Sequence, residues 1–145
     1  MLVPEDKTEP YMIELNTIPL VHIDSMNETH LEEVEIINTL LSQLHSEADF
    51  DSISKIFEEL LEHMQEHFAT EEKMMKEAHY PSFNMHKADH DKVLNQARYA
   101  EMQWRNRKEV DALKEYIEEE VIPWLDQHIK AMDMPMADFI LQVSG

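Results

Sequence analysis

The chain has 145 residues, a formal net charge of −19, one glycine, six prolines and no cysteine. That length suits a single domain with one core, and the scarcity of glycine disfavours an all-β fold built on tight hairpins. The acidity repels nucleic acid and anionic membrane but attracts cations; no disulfide framework exists, and no signal peptide or run of transmembrane length is visible, so a cytoplasmic protein without membrane insertion is expected.

Residues 1–23 lack helical period and carry Pro4, Pro10 and Pro19, which reads as an extended arm with Tyr11, Met12 and Ile13 available to pack on a bundle domain spanning 24–145. Ser25 or Asn27 is a candidate cap for a first helix, whose apolar positions Leu31, Val34, Ile37, Leu40, Leu41 and Leu44 recur at steps of three and four. Asp51 or Ser52 is the next candidate cap. The second helix carries Ile53, Ile56, Phe57, Leu60, Leu61, Met64, Phe68, Met74 and Met75, and Tyr80-Pro81-Ser82 stops it.

A third helix is expected over roughly 83–105, with Phe83, Val93, Leu94, Ala97 and Trp104. The fourth carries Val110, Leu113, Ile117, Val121, Trp124 and Leu125; Pro123 predicts a kink before His128, Met134-Pro135 closes the helix, and 137–143 forms a short terminal one. Four amphipathic helices with short joints read as an all-α antiparallel up-down-up-down four-helix bundle.

Chemistry concentrates in five histidines and two carboxylates. His67 and Glu71 are four apart, as are His86 and His90; His128 precedes Asp133 by five, and His30 stands alone at the start of the first periodic segment. Residues four apart share one face of a helix, so each cluster aims its groups at one point. Imidazole with carboxylate suits iron or zinc, and also accepts manganese. Seven such groups exceed one mononuclear site and suggest two ions close together.

Taken singly, a histidine on an amphipathic helix is most often a surface or satisfied core residue, and Glu is common on helix surfaces. The recurrence over several helices gives the cluster its weight. His22, His45 and His79 are read as solvated, and His63, one turn before His67, as a nearby hydrogen-bonding residue. The eleven methionines are core fillers rather than a copper site, and the acidic run Glu118 to Glu120 is a solvated face.

His30, then His67-Phe68-x-x-Glu71-Glu72, Tyr80-Pro81, His86-x-x-x-His90, Trp124-Leu125-x-x-His128-Ile129 and Asp133 together closely resemble the hemerythrin family over about residues 24–140. The resemblance implies a non-enzymatic protein that binds O2 reversibly at a non-haem di-iron centre, two iron ions joined by an oxo or hydroxo bridge, for storage, delivery or sensing. It assigns His86, His90 and His128 to one iron and His30 and His67 to the other. Glu71 and Asp133 would bridge both, and Phe68, Trp124 and Leu125 would line an apolar O2 pocket. An electron donor or a signalling partner is compatible with it, as is redox, nitric oxide or peroxide sensing at the same centre.

Some positions depart from the family pattern. The His30–His67 and His90–His128 stretches are long, His63 stands where an aromatic is usual, His22 replaces a small residue, and Tyr11 substitutes for a tryptophan of the arm. Two rival readings are weaker. Ferritin-like di-iron proteins need Glu-x-x-His, and no histidine here has Glu three residues before it. The His90-Asp91 dyad is compatible with a metal phosphohydrolase, but only Lys87 and Lys92 are nearby to bind phosphate.

Overall fold

The computed structural model of the chain describes residues 12–144, so Tyr11 lies outside it. Four helical rods pack side by side: α1 (Asp24–His45), α2 (Phe50–Glu77), α3 (Phe83–Arg107) and a fourth rod of several pieces. That rod comprises α4 (Val110–Tyr116), a π turn (Ile117–Val121), α5 (Ile122–His128), a second π turn (Ile129–Asp133) and α6 (Met134–Ser144). No strand occurs among the described residues. Short joints reverse the chain each time; α1 packs on α2 and α4, α2 on α3 and α6, and α3 on α4. The result is the expected antiparallel four-helix bundle.

The apolar stripes meet in the middle. Val34, Ile37, Leu40, Leu41 and Leu44 of α1 face Ile53, Phe57, Leu60, Leu61 and Met64 of α2, all buried; Leu31, Ile56 and Met74 lie at the stripe edges, half-buried. Each fully buried aliphatic or aromatic side chain contributes about 1.5–3 kcal/mol. Before α1, a single 3₁₀ turn (Leu15–Thr17) is followed by Ile18, which packs on this core with Ile13. Ile13 is held by Asn38, whose Oδ1 accepts from the Ile13 N–H (2.8 Å) and whose Nδ2 donates to its carbonyl (2.9 Å).

Helix starts differ from the expected caps. Ile23 holds the cap position of α1 without a side-chain bond. Asn27 is engaged elsewhere: it accepts from the Val21 N–H (2.9 Å) and donates to the Val21 carbonyl (2.8 Å). Neither Asp51 nor Ser52 caps α2; Asp49 does, accepting from the Ser52 N–H at 2.7 Å.

Helix ends show what a nearly glycine-free chain does at left-handed positions. Glu47, His79 and Lys108 adopt φ of 56°, 55° and 55°, immediately beyond α1, α2 and α3. The Ala48 N–H reaches back to the Gln43 carbonyl (2.9 Å) and the Tyr80 N–H to that of Met75 (2.9 Å). These are Schellman closures that normally favour Gly at the left-handed residue.

The fourth rod does not close at Met134-Pro135; it continues to Ser144. Ile117, Ile122, Ile129 and Met134, at the seams, all have right-handed helical φ and ψ. Each π turn ends two residues before a proline, at Pro123 and Pro135. A proline ring clashes with the carbonyl four residues back, and the wider turn gives it room, with Ile122 N–H bonded to the Ile117 carbonyl and Met134 N–H to that of Ile129. The rod therefore passes both prolines by widening.

Candidate metal centre

His30 comes from α1, His67 and Glu71 from α2, His86 and His90 from α3, and His128 and Asp133 from the fourth rod. All seven side chains are buried and converge on one interior spot. Their atoms sort into two groups. Around Oε1 of Glu71 and Oδ1 of Asp133 stand three Nε2 atoms: His86 to Glu71 3.4 Å and to Asp133 3.0 Å, His90 to Glu71 3.1 Å, and His128 to Asp133 3.1 Å. Around Oε2 of Glu71 and Oδ2 of Asp133 stand two more: His67 to Glu71 2.7 Å, His30 to Asp133 2.9 Å and to Glu71 3.7 Å. Each carboxylate thus gives one oxygen to each group.

The residues fit metal ions. Glu71 Oε1, Asp133 Oδ1 and His90 Nε2 are buried without a hydrogen bond despite these short contacts, so their lone pairs point past one another. His86 and His128 bring their Nε2 atoms to 3.2 Å. Adjacent ligands on a cation with ~2.1 Å bonds are ~3.0 Å apart, close to the spacings above. Either group could hold one ion.

The second π turn makes the last pair possible. In an α-helix, residues five apart point about 140° away from each other. The π turn Ile129–Asp133 absorbs one residue between His128 and Asp133, bringing both onto one face. π turns recur at functional sites for this reason.

Three carboxylates that the sequence reading gave no role to stand behind the histidines. Glu33 Oε1 lies 3.0 Å from His67 Nδ1, Glu72 Oε2 lies 3.0 Å from His90 Nδ1, and Asp89 Oδ2 lies 2.7 Å from His128 Nδ1. Each fixes the ring and directs its Nε2 inward. Their signal was faint: Glu33 follows His30 by three, Asp89 follows His86 by three, and Glu72 adjoins Glu71, but acidic residues crowd every helix of this chain. Glu33 itself is almost fully buried.

Charge is tightly coupled here. Burial pulls the His30 imidazole down, but Asp133 and Glu71 outweigh it and lift it to about 9. His86 is likewise raised to about 9, burial opposing and Asp133 and Glu71 prevailing. Burial raises the Glu33 carboxyl, yet the adjoining His67 and His63 bring it down to about 2. Glu71 and Asp133 are both held well below the usual carboxylate range by the surrounding imidazoles, against burial. The cluster demands compensating positive charge, which protons or metal ions can supply.

Apolar groups seal one side. Phe68 stacks on His90 (centroids 4.0 Å, 5° between planes), and half-buried Trp124 stacks on His128 (4.4 Å, 19°). Phe68 and Trp124 also meet edge to face at 5.9 Å, and Leu125 is buried one turn before His128. The two rings cover histidines of the three-imidazole group.

The remaining histidines lie outside the seven. His63 touches Glu33 (3.0 Å) and Glu32 (3.1 Å), beside the cluster as a hydrogen-bonding neighbour. Exposed His22 pairs with Asp138 (2.8 Å), and His79 is exposed. His45 is not solvated as expected but half-buried against Glu118 (3.0 Å), which also takes Glu118 out of a purely solvated face. Asp91 is exposed and bound by Lys87 (2.9 Å), so the His90-Asp91 dyad does not aim at the cluster. A larger cavity of about 650 Å³, walled by Tyr99, Trp104 and Tyr116, touches none of the seven groups.

An antiparallel bundle whose four rods each send imidazoles or carboxylates to one buried point has the form of a helical cation-binding protein. Residues 20–140 match the family model described as Hemerythrin HHE cation binding domain. The chain belongs to the hemerythrin family. It is 30% identical over 112 residues to a bacteriohemerythrin of Aquifex aeolicus, covering 77% of this chain and 85% of that protein. It is 34% identical over 97 residues to one of Ralstonia nicotianae, 67% of each chain, and 27% identical over 118 residues to one of Stenotrophomonas maltophilia, 81% and 74%. No solved structure gives a significant match. No helix among the described residues is long and apolar enough to cross a membrane.

Proposed function

We propose that this protein binds O2 reversibly at a non-haem di-iron centre. His86, His90 and His128 hold one iron, His30 and His67 the other, and Glu71 and Asp133 bridge the pair. The single observation that carries this reading is the division of oxygens: each of the two carboxylates turns one oxygen to the three-imidazole group and the other to the two-imidazole group. The count leaves the two-histidine iron with fewer protein ligands, and so with room for a small diatomic ligand. Membership of the hemerythrin family supports iron as the metal.

When bound, the iron pair supplies reversible two-electron chemistry toward O2. The protein's part is charge, orientation and dryness. Neutral imidazoles add no charge, so the Glu71 and Asp133 carboxylates offset part of the metal charge in a site with almost no access to water. Glu33, Glu72 and Asp89 lock the rings of His67, His90 and His128, which limits rearrangement as electron density shifts. Phe68, Trp124 and Leu125 give the centre an apolar flank that keeps out the water and protons that favour irreversible oxidation.

Anaerobic reconstitution with Fe(II), followed by cycling between air and argon, tests the reading. Two irons per chain and a near-ultraviolet and visible charge-transfer spectrum that appears in air and vanishes under argon are expected. Fewer than two irons, or oxidation in seconds without recovery, removes O2 carriage.

A further inference from the structure

We propose that the cleft between α1 and α2 is the route by which metal ions reach the centre, with Glu32 and Glu66 capturing the cation at its mouth and His63 standing behind them. The inference rests on the reading of the buried cluster as a metal site.

The cleft has a volume of about 210 Å³ and its walls include His67 and Glu71, both in the two-histidine group. Outward from these, Ser25, Thr29, Glu32, His63, Glu66 and Thr70 line it, and two methionines, Met26 and Met74, are its apolar contribution. Side-chain exposure falls steeply along one file of groups: Glu32 65%, His63 19%, Glu33 3%, His67 3% and Glu71 2%. Neighbours in that file touch: Glu32 to His63 3.1 Å, His63 to Glu33 3.0 Å, Glu33 to His67 3.0 Å and His67 to Glu71 2.7 Å. Carboxylate and imidazole alternate from solvent to centre, so an entering cation exchanges each lost water for a protein ligand. Glu33, His63 and His67 also form a group able to hold an ion on the way.

The chemistry of the walls selects the traveller. O2 gains nothing from two carboxylates and hydroxyls, and an anion is repelled by them. A divalent cation is attracted both by the mouth and by the chain's net charge of −19.

The test is anaerobic mixing of the metal-free protein with Fe(II), following the loss of free Fe(II) with a weak chromophoric chelator and the final content by metal analysis. The double variant Glu32→Gln/Glu66→Gln changes two exposed side chains and leaves all seven buried groups intact. It is expected to take up iron about ten-fold more slowly at low salt, as removal of focused charge predicts, while still reaching two irons per chain. The control Glu115→Gln/Glu119→Gln loses the same charge from the fourth rod and is expected to match the parent. A double variant as fast as the parent, or slowed no more than the control, overturns the route. So does one that ends with less iron, because its residues then belong to the site. A parent protein that binds no iron defeats the reading of the centre itself.

Discussion

His128 and Asp133 are five residues apart, yet His128 Nε2 lies 3.1 Å from Asp133 Oδ1, because the chain between them is wound as a π turn. Removing one residue there would leave the two four apart on one face of a plain α-helix. One further residue exceeds what the π turn absorbs and should swing His128 by about 100° relative to Asp133. Insertion of an alanine after exposed Ala131 is therefore expected to lower iron content from two per chain to one or fewer. Far-ultraviolet circular dichroism should remain helical. An insertion protein that still holds two irons would show that the register between His128 and Asp133 is dispensable.

Glu33 should matter although it does not face the metal cluster's centre. It is the buried acceptor for both His63 and His67, and loss of such an outer partner typically costs 10–100-fold in metal affinity. Glu33→Gln is expected to weaken one of the two irons, that held by His30 and His67, by about that factor. Chelator competition measures it; two irons of unchanged affinity would count against the role.

Stability of the metal-free protein should depend on pH with a definite sign. The imidazoles of His30 and His86 are raised to about 9 in the folded chain from an ordinary 6.5. Groups raised on folding contribute fully below 6.5 and lose that contribution as pH rises to about 9. Glu33, lowered from 4.5 to about 2, works at the other end, and its contribution is lost as pH falls below 4.5. The Tm of the apo-protein is expected to peak between these limits and to fall from pH 6.5 to 9. In the iron-loaded protein the positive charge resides on metal, so its Tm should stay level over that range, and Tm curves that run parallel would refute the coupling.

Leu125 tests the apolar flank. Leu125→Asn introduces a polar group one turn before His128, and autoxidation of the oxygenated protein is expected to speed up several-fold as water gains entry. An unchanged decay of the charge-transfer band would exclude Leu125 from the flank.

The left-handed residues offer a stabilising change. Glu47 sits at φ 56° beyond α1, in a Schellman closure made by backbone groups alone. A non-glycine residue in this region costs about 1–2 kcal/mol, part of which returns as extra freedom of the unfolded chain when Gly replaces it. Glu47→Gly is expected to raise stability by about 0.5–1 kcal/mol in urea titration; a loss would mean that the strain is absent.

Much of the bundle was legible because its signals are local. Leu40, Leu41 and Leu44, or Leu60, Leu61 and Met64, repeat within one helix, and periodicity needs no knowledge of partners. Even the π turns left a trace. Leu113, Ile117, Val121, Leu125, Ile129, Asp133 and Ala137 are all buried at every fourth residue. An α-helix would rotate that stripe by about 40° at each step, and its six repeats exceed six α-turns by roughly two residues; two π turns absorb them. Reading Pro123 as a kink and Pro135 as a stop followed from proline's usual effect, which a widened turn relieves.

The amino-acid sequence by itself determined the four rods, their inward faces and the pairing of His67 with Glu71 and of His86 with His90 on one face, since spacing along one helix fixes all of these. The π turn that brings His128 and Asp133 together came with the structure. Only the tertiary structure decided that Glu71 and Asp133 each divide their oxygens between two groups, that Glu33 braces a histidine 34 residues away, and that a cleft lies open between α1 and α2. Those relations join atoms on different rods, and their geometry is set by how the rods pack, which no spacing within a single helix encodes.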